Sequence, residues 1–339
     1  MSVNIRYRGS VYDCWDSETV LDSFLRHGVG FDYSCRKGVC LGCMMRTTAG
    51  AVPEAAQAGI DKDLSAHGYF LPCLCRPMMD LTLEPPEAAK VYGRAVVAAI
   101  KRLAPDVRRV TLKPSAPLYY HAGQFILLRR ADGLCRAYAL ASIPALDDNL
   151  DIPVKQTPGG QLSGWIFERL AVGDAVDFHG PCGENFYEPG RADQPLLLIG
   201  SGTGLGPLAA IARDALNAGH RGAIHFYHGS CKPEGLYMVR ALRALARRHP
   251  NFHFESCLSG GKKRRGCRSG RADLVALEDH PDLAGWRIFL SGHPAMVHTA
   301  KRAAYRAGAA VQDVHDDPFE MRENRHPRRA GEPQAADAW

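Results

Sequence analysis

Cys35-Arg-Lys-Gly-Val-Cys40-Leu-Gly-Cys43 constrains this chain more than any other stretch: three thiols in a C-x4-C-x2-C spacing, with further cysteines at Cys73 and Cys75. A segment this short, with Gly38 and Gly42 among the thiols, wraps around a bound group rather than packing a core of its own. A rhomb of two irons and two sulfides takes four thiolates. This spacing lets one loop supply three of them while its backbone N–H groups reach the sulfurs. The fourth has to come from elsewhere, and Cys73 and Cys75 are the candidates. A zinc site built from Cys40, Cys43, Cys73 and Cys75 is the competing use of the same thiols. The chain holds 11 cysteines, an odd number, and shows no export signal at its N-terminus, so a disulfide framework is not expected. Cys14, Cys135, Cys182, Cys231, Cys257 and Cys267 are scattered and read as small buried hydrophobes.

Hydrophobic patterning divides the 339 residues into three parts. The first, 1–88, has an alternating run at Val3–Tyr7, a helical spacing over Thr19–His27, the cysteine loop and a second alternating run at residues 80–84, before Pro85-Pro86 breaks the chain. The second, 89–190, reads as short strands at 93–100, 107–113, 124–129, 136–141, 150–156 and 175–179, with one helix near 162–169, the pattern of a small antiparallel barrel. The third, 191–318, opens on the continuous apolar run Pro195–Ile199, as a buried parallel strand does. A Gly-rich turn, a helix at 208–218, strands at 223–227, 252–256 and 287–290, and helices at 236–248 and 295–307 then alternate as in an α/β domain. Residues 319–339 are expected to be a disordered tail.

Charge argues against some functions. Residues 1–88 carry 8 Lys and Arg against 11 Asp and Glu, whereas the whole chain is +6. The acidic first part on a basic body suggests different partners for the two. Lys262–Arg265 is the longest basic run and reads as a solvated loop; no helix-turn-helix or zinc-finger spacing accompanies it, so nucleic acid is not an expected partner. No run approaches the roughly 18 apolar residues of a membrane span. No Rieske pair of Cys-His motifs is present, and the only Glu-x-x-His, Glu323 to His326, lies in the tail. The chain is therefore not expected to be an oxygenase itself.

Further motifs, in order along the chain, carry a family resemblance. Arg136-Ala-Tyr138-Ala139 resembles an R-x-Y-S/T flavin motif, Pro158-Gly159-Gly160-Gln161-Leu162-Ser163 a second phosphate loop opening a helix, and Gly180-Pro181-Cys182-Gly183 a closing barrel turn. Gly200-Ser201-Gly202-Thr203-Gly204-Leu205-Gly206-Pro207 follows a strand and starts a helix, the context a nucleotide phosphate needs. Ser291-Gly292-His293-Pro294-Ala295-Met296 resembles a late C-G-x-P-x-M motif, and Asp317-Pro318-Phe319 a region where an aromatic shields flavin. Together with the plant-type ferredoxin spacing of the cysteines, these make the chain similar to the NADH-dependent reductase components of bacterial multicomponent oxygenases.

That resemblance implies an α+β ferredoxin β-grasp domain, an antiparallel β-barrel FAD domain and an α/β parallel-sheet nucleotide-binding domain. It implies that Cys35, Cys40, Cys43 and Cys73 bind a 2Fe-2S cluster. FAD would be held by Arg136, Ala137, Tyr138, Ala139, Gly159, Gly160, Gln161, Leu162 and Ser163. NADH, or NADPH, would be held by Gly202, Thr203, Gly204, Gly206, Pro207, Gly292, Pro294 and Met296. Tyr138, Ala139 and Ser291 would line the reacting centre; Ala139 and Ser291 stand where the family usually has Ser or Thr and Cys. Cys231 stands where an Arg often recognises ribose, with Lys232 beside it. The expected function is electron transfer from a nicotinamide nucleotide through FAD and 2Fe-2S to a separate oxygenase, with the acidic first domain as docking face. Further expectations are a monomer when free and a cytoplasmic location. The alternatives are a non-oxygenase acceptor such as a deoxysugar dehydrase, or a degenerate redox-sensing protein on the same fold.

Overall fold

The computed structural model describes residues 2–30, 33, 35–260 and 264–319; Lys262, Lys263 and the tail from residue 320 lie outside these. Three sheets carry the chain. In the first unit β1 (Ser2–Tyr7), β2 (Ser10–Trp15), α1 (Val20–Arg26), β3 (Met45–Ala49), α2 (Lys62–Ala66), β4 (Tyr69–Phe70) and β5 (Leu81–Glu84) form a mixed sheet in the order β2-β1-β5-β3-β4. Val20 and Phe24 of α1 pack on Ile5, Tyr7, Met45, Phe70 and Leu81. Helix α1 starts at a capping box, in which Thr19 Oγ1 accepts from the Asp22 N–H and the Asp22 carboxylate accepts from the Thr19 N–H. Such a cap is worth about 1 kcal/mol.

A short helix, α3 (Ala88–Val91), leads into the second unit. There β6 (Gly93–Ala104), β7 (Val107–Pro114), β8 (Phe125–Arg129), β9 (Cys135–Ala139), β10 (Leu150–Lys155) and β11 (Ala175–Cys182) pair antiparallel in the order β10-β7-β6-β11-β8-β9. The Ala141 N–H donates to the Asp151 carbonyl at 2.8 Å and draws the two ends of the sheet together. The inward residues Val97, Val110, Ile126, Leu128, Ile152 and Val154 make the core, and α4 (Gln161–Glu168) caps it with Leu162 and Ile166.

The third unit is a parallel sheet ordered β15-β14-β13-β12-β16-β17, built from β12 (Leu196–Ser201), β13 (Ile224–Ser230), β14 (Phe252–Leu258), β15 (Arg268–Ser269), β16 (Arg287–Gly292) and β17 (Val314–Pro318). Strand β12 is covered on both faces, which explains its unbroken apolar run. Leu208 and Ile211 of α5 (Leu205–Asn217) and Leu242 of α6 (Val239–Arg248) cover one face. Val275 of α7 (Ala272–Asp279) and Val297 and Ala300 of α8 (Pro294–Arg306) cover the other. Helix α5 begins three residues earlier than its apolar spacing indicates, because the 3-10 turn Gly202–Gly204 runs straight into it and Pro207 sits in its first turn, where no N–H is needed. Helix α7 and the polar strand β17 were not expected: Val314-His-Asp-Asp-Pro318 has no apolar alternation and becomes a strand by pairing with β16. No helix among the described residues is long and apolar enough to cross a membrane.

Candidate functional site

The four thiols face one another as two pairs. A hydrogen bond from Cys40 holds the Cys35 thiol well below its usual range, and one from Cys43 lowers that of Cys73. Cys40, Cys43 and Cys73 are buried and Cys35 is half-buried; all four are free of disulfides. Backbone N–H groups point at the sulfurs: Lys37 and Cys40 donate to Cys35 Sγ at 3.3 and 3.4 Å, and Cys35 to Cys40 Sγ at 3.4 Å. Helix α1 holds the Cys73 segment, its Val20 and Leu21 N–H groups donating to the Cys75 and Pro72 carbonyls at 2.8 and 3.1 Å. Those are first-turn amides with no partner in their own helix. Among the described residues no three His, Cys, Asp or Glu side chains converge on a single metal ion. Two pairs of thiols, each suited to one iron, fit a two-iron cluster better than zinc. Cys75 is fully buried in the core that also holds Cys14, and burial pushes its thiol up to about 12.

The flavin motif lies on β9. Period-two alternation turns Arg136 and Tyr138 to one face and Cys135 and Ala139 to the other. Tyr138 packs on the barrel core and burial pushes its hydroxyl up. Ala139 is buried in a core shared with Leu41, Cys43, Met44 and Cys73 of the first unit. The second loop is fixed by Ser163, whose Oγ accepts from the Thr157 N–H at 3.1 Å. A β-carbon on Gly160 would stand 2.4 Å from that Oγ, so the turn leaves a bare backbone cradle at the start of α4. Gly159 and Gln161 are exposed beside it, while the Leu162 side chain belongs to the core and offers only its backbone. Arg130, which the sequence did not single out, reaches from the β8–β9 hairpin to the Gln161 carbonyl at 3.4 Å and links the two flavin elements. An Arg, an aromatic face, a backbone cradle and a helix N-terminus fit a dinucleotide pyrophosphate and its ring.

At the third motif, β12 ends in the Gly202-Thr203-Gly204 turn and β16 ends beside it at Ser291-Gly292. The His293 N–H donates to Ser201 Oγ at 3.0 Å and ties the two strand ends together. The Gly202 carbonyl accepts from Tyr237 Oη at 3.3 Å and lies 3.3 Å from His228 Nε2. His228 is fully buried and burial holds it down to about 4, so it is neutral and its Nε2–H donates. Neither residue was expected in this role; the burial that makes them useful is not visible in a linear motif. Ser291 Oγ is fully buried without a hydrogen-bond partner. An orphaned hydroxyl at a strand end beside a Gly-rich turn fits a carboxamide or ring of a nicotinamide. Across β17, Asp317 is in register with Ser291, and burial, with Asp316 adding, pushes its carboxyl up to about 7. Phe319 donates its N–H to the Gly292 carbonyl at 2.7 Å and packs on the core that holds Cys43 and Ala139. Gly206 lies against Pro153 of the barrel, while Pro207 and Met296 are buried and Pro294 opens α8. The expected residues thus lie on the cysteine loop and at Cys73, on β9 and around the start of α4, and at the ends of β12 and β16 and the helix starts that follow.

Comparisons agree with this division. The family model of the 2Fe-2S iron-sulfur cluster binding domain matches residues 3–78, that of the oxidoreductase FAD-binding domain 94–187, and that of the oxidoreductase NAD-binding domain 198–302. The chain is 33% identical over 331 residues to the reductase subunit of an aromatic O-demethylase from Amycolatopsis sp., covering 94% of this chain and 99% of that one. It is 32% identical over 311 residues to the ferredoxin–NAD(P)(+) reductase component of naphthalene 1,2-dioxygenase/salicylate 5-hydroxylase systems from Ralstonia sp., covering 89% and 93%. A CDP-6-deoxy-L-threo-D-glycero-4-hexulose-3-dehydrase reductase from Yersinia pestis is 26% identical over 94% of this chain and 99% of its own length. Among solved structures, an Amycolatopsis cytochrome P450 reductase superposes with a TM-score of 0.68 at 32% identity, covering 94% of this chain and 98% of that one.

Proposed function

We propose a residue-by-residue electron route for this chain, which belongs to the reductase components of multicomponent oxygenase systems. It transfers electrons from a nicotinamide nucleotide through FAD and a 2Fe-2S cluster to a separate oxygenase component. The observation that carries the route is the shared core of Cys43, Cys73, Leu127 and Ala139, which packs the cluster loop onto the strand of the flavin motif. FAD, when bound, supplies the conversion of a two-electron hydride into the single electrons that a cluster can accept.

The chain's own residues then divide the work. The Gly202–Gly204 turn, braced by His228 and Tyr237, receives the nucleotide phosphates with bare backbone. Ser291, Gly292, Pro294 and Met296 orient the nicotinamide end, and Phe319 keeps water from it. Arg136, with Gly159, Gly160, Gln161 and Ser163 at the start of α4, neutralises the flavin pyrophosphate; Ala137, Tyr138 and Ala139 form the wall against the ring. Cys35, Cys40, Cys43 and Cys73 hold the irons. Residues 1–88, 89–190 and 191–318 are proposed as the three domains, and NADH as the preferred donor.

An oxygenase is the proposed acceptor, with the acidic first domain presented to it; a monomer in the cytoplasm suits a carrier that must meet its partner by diffusion. A dehydrase acceptor is the second reading, supported by the Yersinia relative. The test of donor and acceptor is NADH-driven reduction of ferricyanide and of cytochrome c by wild type and by Cys43→Ser. The route requires ferricyanide reduction to survive in the variant and cytochrome c reduction to fall; equal loss of both contradicts it.

A further inference from the structure

We propose that Cys135 is a positioning residue that fixes the cluster-binding loop against the flavin strand. It rests on reading Arg136–Ala139 as that strand. Cys135 opens β9 one residue before Arg136, yet alternation turns its side chain the other way, toward the first unit, where it is 4% exposed. Its thiol donates to the Gly42 carbonyl, with Sγ 3.6 Å from the oxygen. Gly42 is the residue between Leu41 and Cys43, inside the cysteine loop itself.

Gly42 meets the barrel at ordinary van der Waals distance. A β-carbon on Gly42 would stand 3.5 Å from Leu127 Cδ2, 3.6 Å from Cys40 Sγ and 3.8 Å from Cys135 Sγ. The loop backbone is thus held between the sulfur of a cluster ligand and the sulfur of a barrel residue. Around this point Leu41, Cys43 and Met44 share a core with Phe125, Leu127 and Cys182. Apolar contact alone is non-directional and leaves the loop free to slide on the barrel. The thiol–carbonyl bond supplies a direction, and it does so between Cys40 of one thiol pair and Cys43 of the other.

Gly42 is half-buried, so removing the thiol takes away the donor that directs its carbonyl to the barrel, and the docked loop loses population. The expected effect of Cys135→Ala is about threefold to tenfold slower electron passage from flavin to cluster, with flavin reduction by NADH unchanged. Cys135→Ser keeps a donor and stays near wild type. Cys135→Val fills the space without a donor and behaves like Cys135→Ala.

Two measurements on the cluster- and FAD-loaded full chain decide it. The first is stopped-flow absorbance after NADH addition, resolving the flavin and cluster phases. The second is amide hydrogen exchange across residues 39–44, which needs no electron flow and reads the contact even if the electron route fails. Faster exchange and a slower second phase in the Ala and Val variants, both restored by Ser, are expected. Wild-type exchange in Cys135→Ala, or a Val variant equal to wild type in both, overturns the proposal and leaves Cys135 a space-filler.

Discussion

The carbonyl oxygen of Ser291 occupies the space that a side chain on Gly204 would need: a β-carbon there would stand 2.3 Å from it. The phosphate turn after β12 and the nicotinamide motif after β16 therefore meet backbone to backbone. Gly204→Ala must push the two strand ends apart, a backbone clash that no side-chain rotation relieves. The expected cost is about 2–4 kcal/mol, read as a lower Tm and as lost binding of nicotinamide nucleotide in a calorimetric titration. An Ala variant that binds nucleotide as wild type does would contradict the contact.

Ser291, whose backbone meets that turn, also carries a buried hydroxyl with no hydrogen-bond partner. If that hydroxyl serves the nicotinamide, Ser291→Ala slows flavin reduction by NADH by about tenfold, the equivalent of one hydrogen bond made in the reacting complex. It leaves flavin content and stability nearly unchanged, since nothing in the protein bonds to Ser291 Oγ. Ser291→Cys, close in shape, retains most of the rate. Pre-steady-state absorbance measures all three.

Cys73 and Cys75 are two residues apart and pack in different cores. Cys73→Ser is expected to lose the visible absorbance and EPR signal of the cluster while keeping flavin. Cys75→Ala keeps both signals and loses only packing against Cys14, roughly 1 kcal/mol by urea denaturation. Loss of the cluster in the Cys75 variant would reverse the ligand assignment.

His225 stacks on His253 at 4.6 Å and meets His280 edge-on at 4.4 Å, with Trp286 at 5.7 Å. Burial, with His280 and His253 adding and Asp279 opposing, holds His225 down to about 4. The unfolded chain protonates the same group below about 6.5. Its contribution is therefore complete above about pH 6.5 and lost as pH falls toward 4, on the order of 1–2 kcal/mol once solvent screening of a half-buried ring is allowed for. Urea denaturation at pH 7.5 and pH 5 should show a smaller acid loss for His225→Gln than for wild type. Equal losses would place the acid sensitivity elsewhere.

Much of this was legible because the chemistry is local. The spacing from Cys35 to Cys43 states a ligand loop by itself, and Pro195–Ile199 followed by glycines states a strand and phosphate turn. What escaped was made by distant pairing. Strand β17 is polar and exists through its register with β16, which alone brings Asp317 beside Ser291. His228 and Tyr237 look ordinary until burial aims both at the Gly202 carbonyl. Cys135 reads as one more small hydrophobe, because its partner Gly42 is 93 positions away.

Anaerobic stopped-flow mixing of the fully loaded chain with NADH tests the electron route most directly. The route predicts bleaching of flavin absorbance first, then reduction of the cluster at a rate that does not depend on protein concentration, as transfer within one molecule requires. Flavin bleaching with a cluster that stays oxidised, or cluster reduction in protein stripped of FAD, would contradict it.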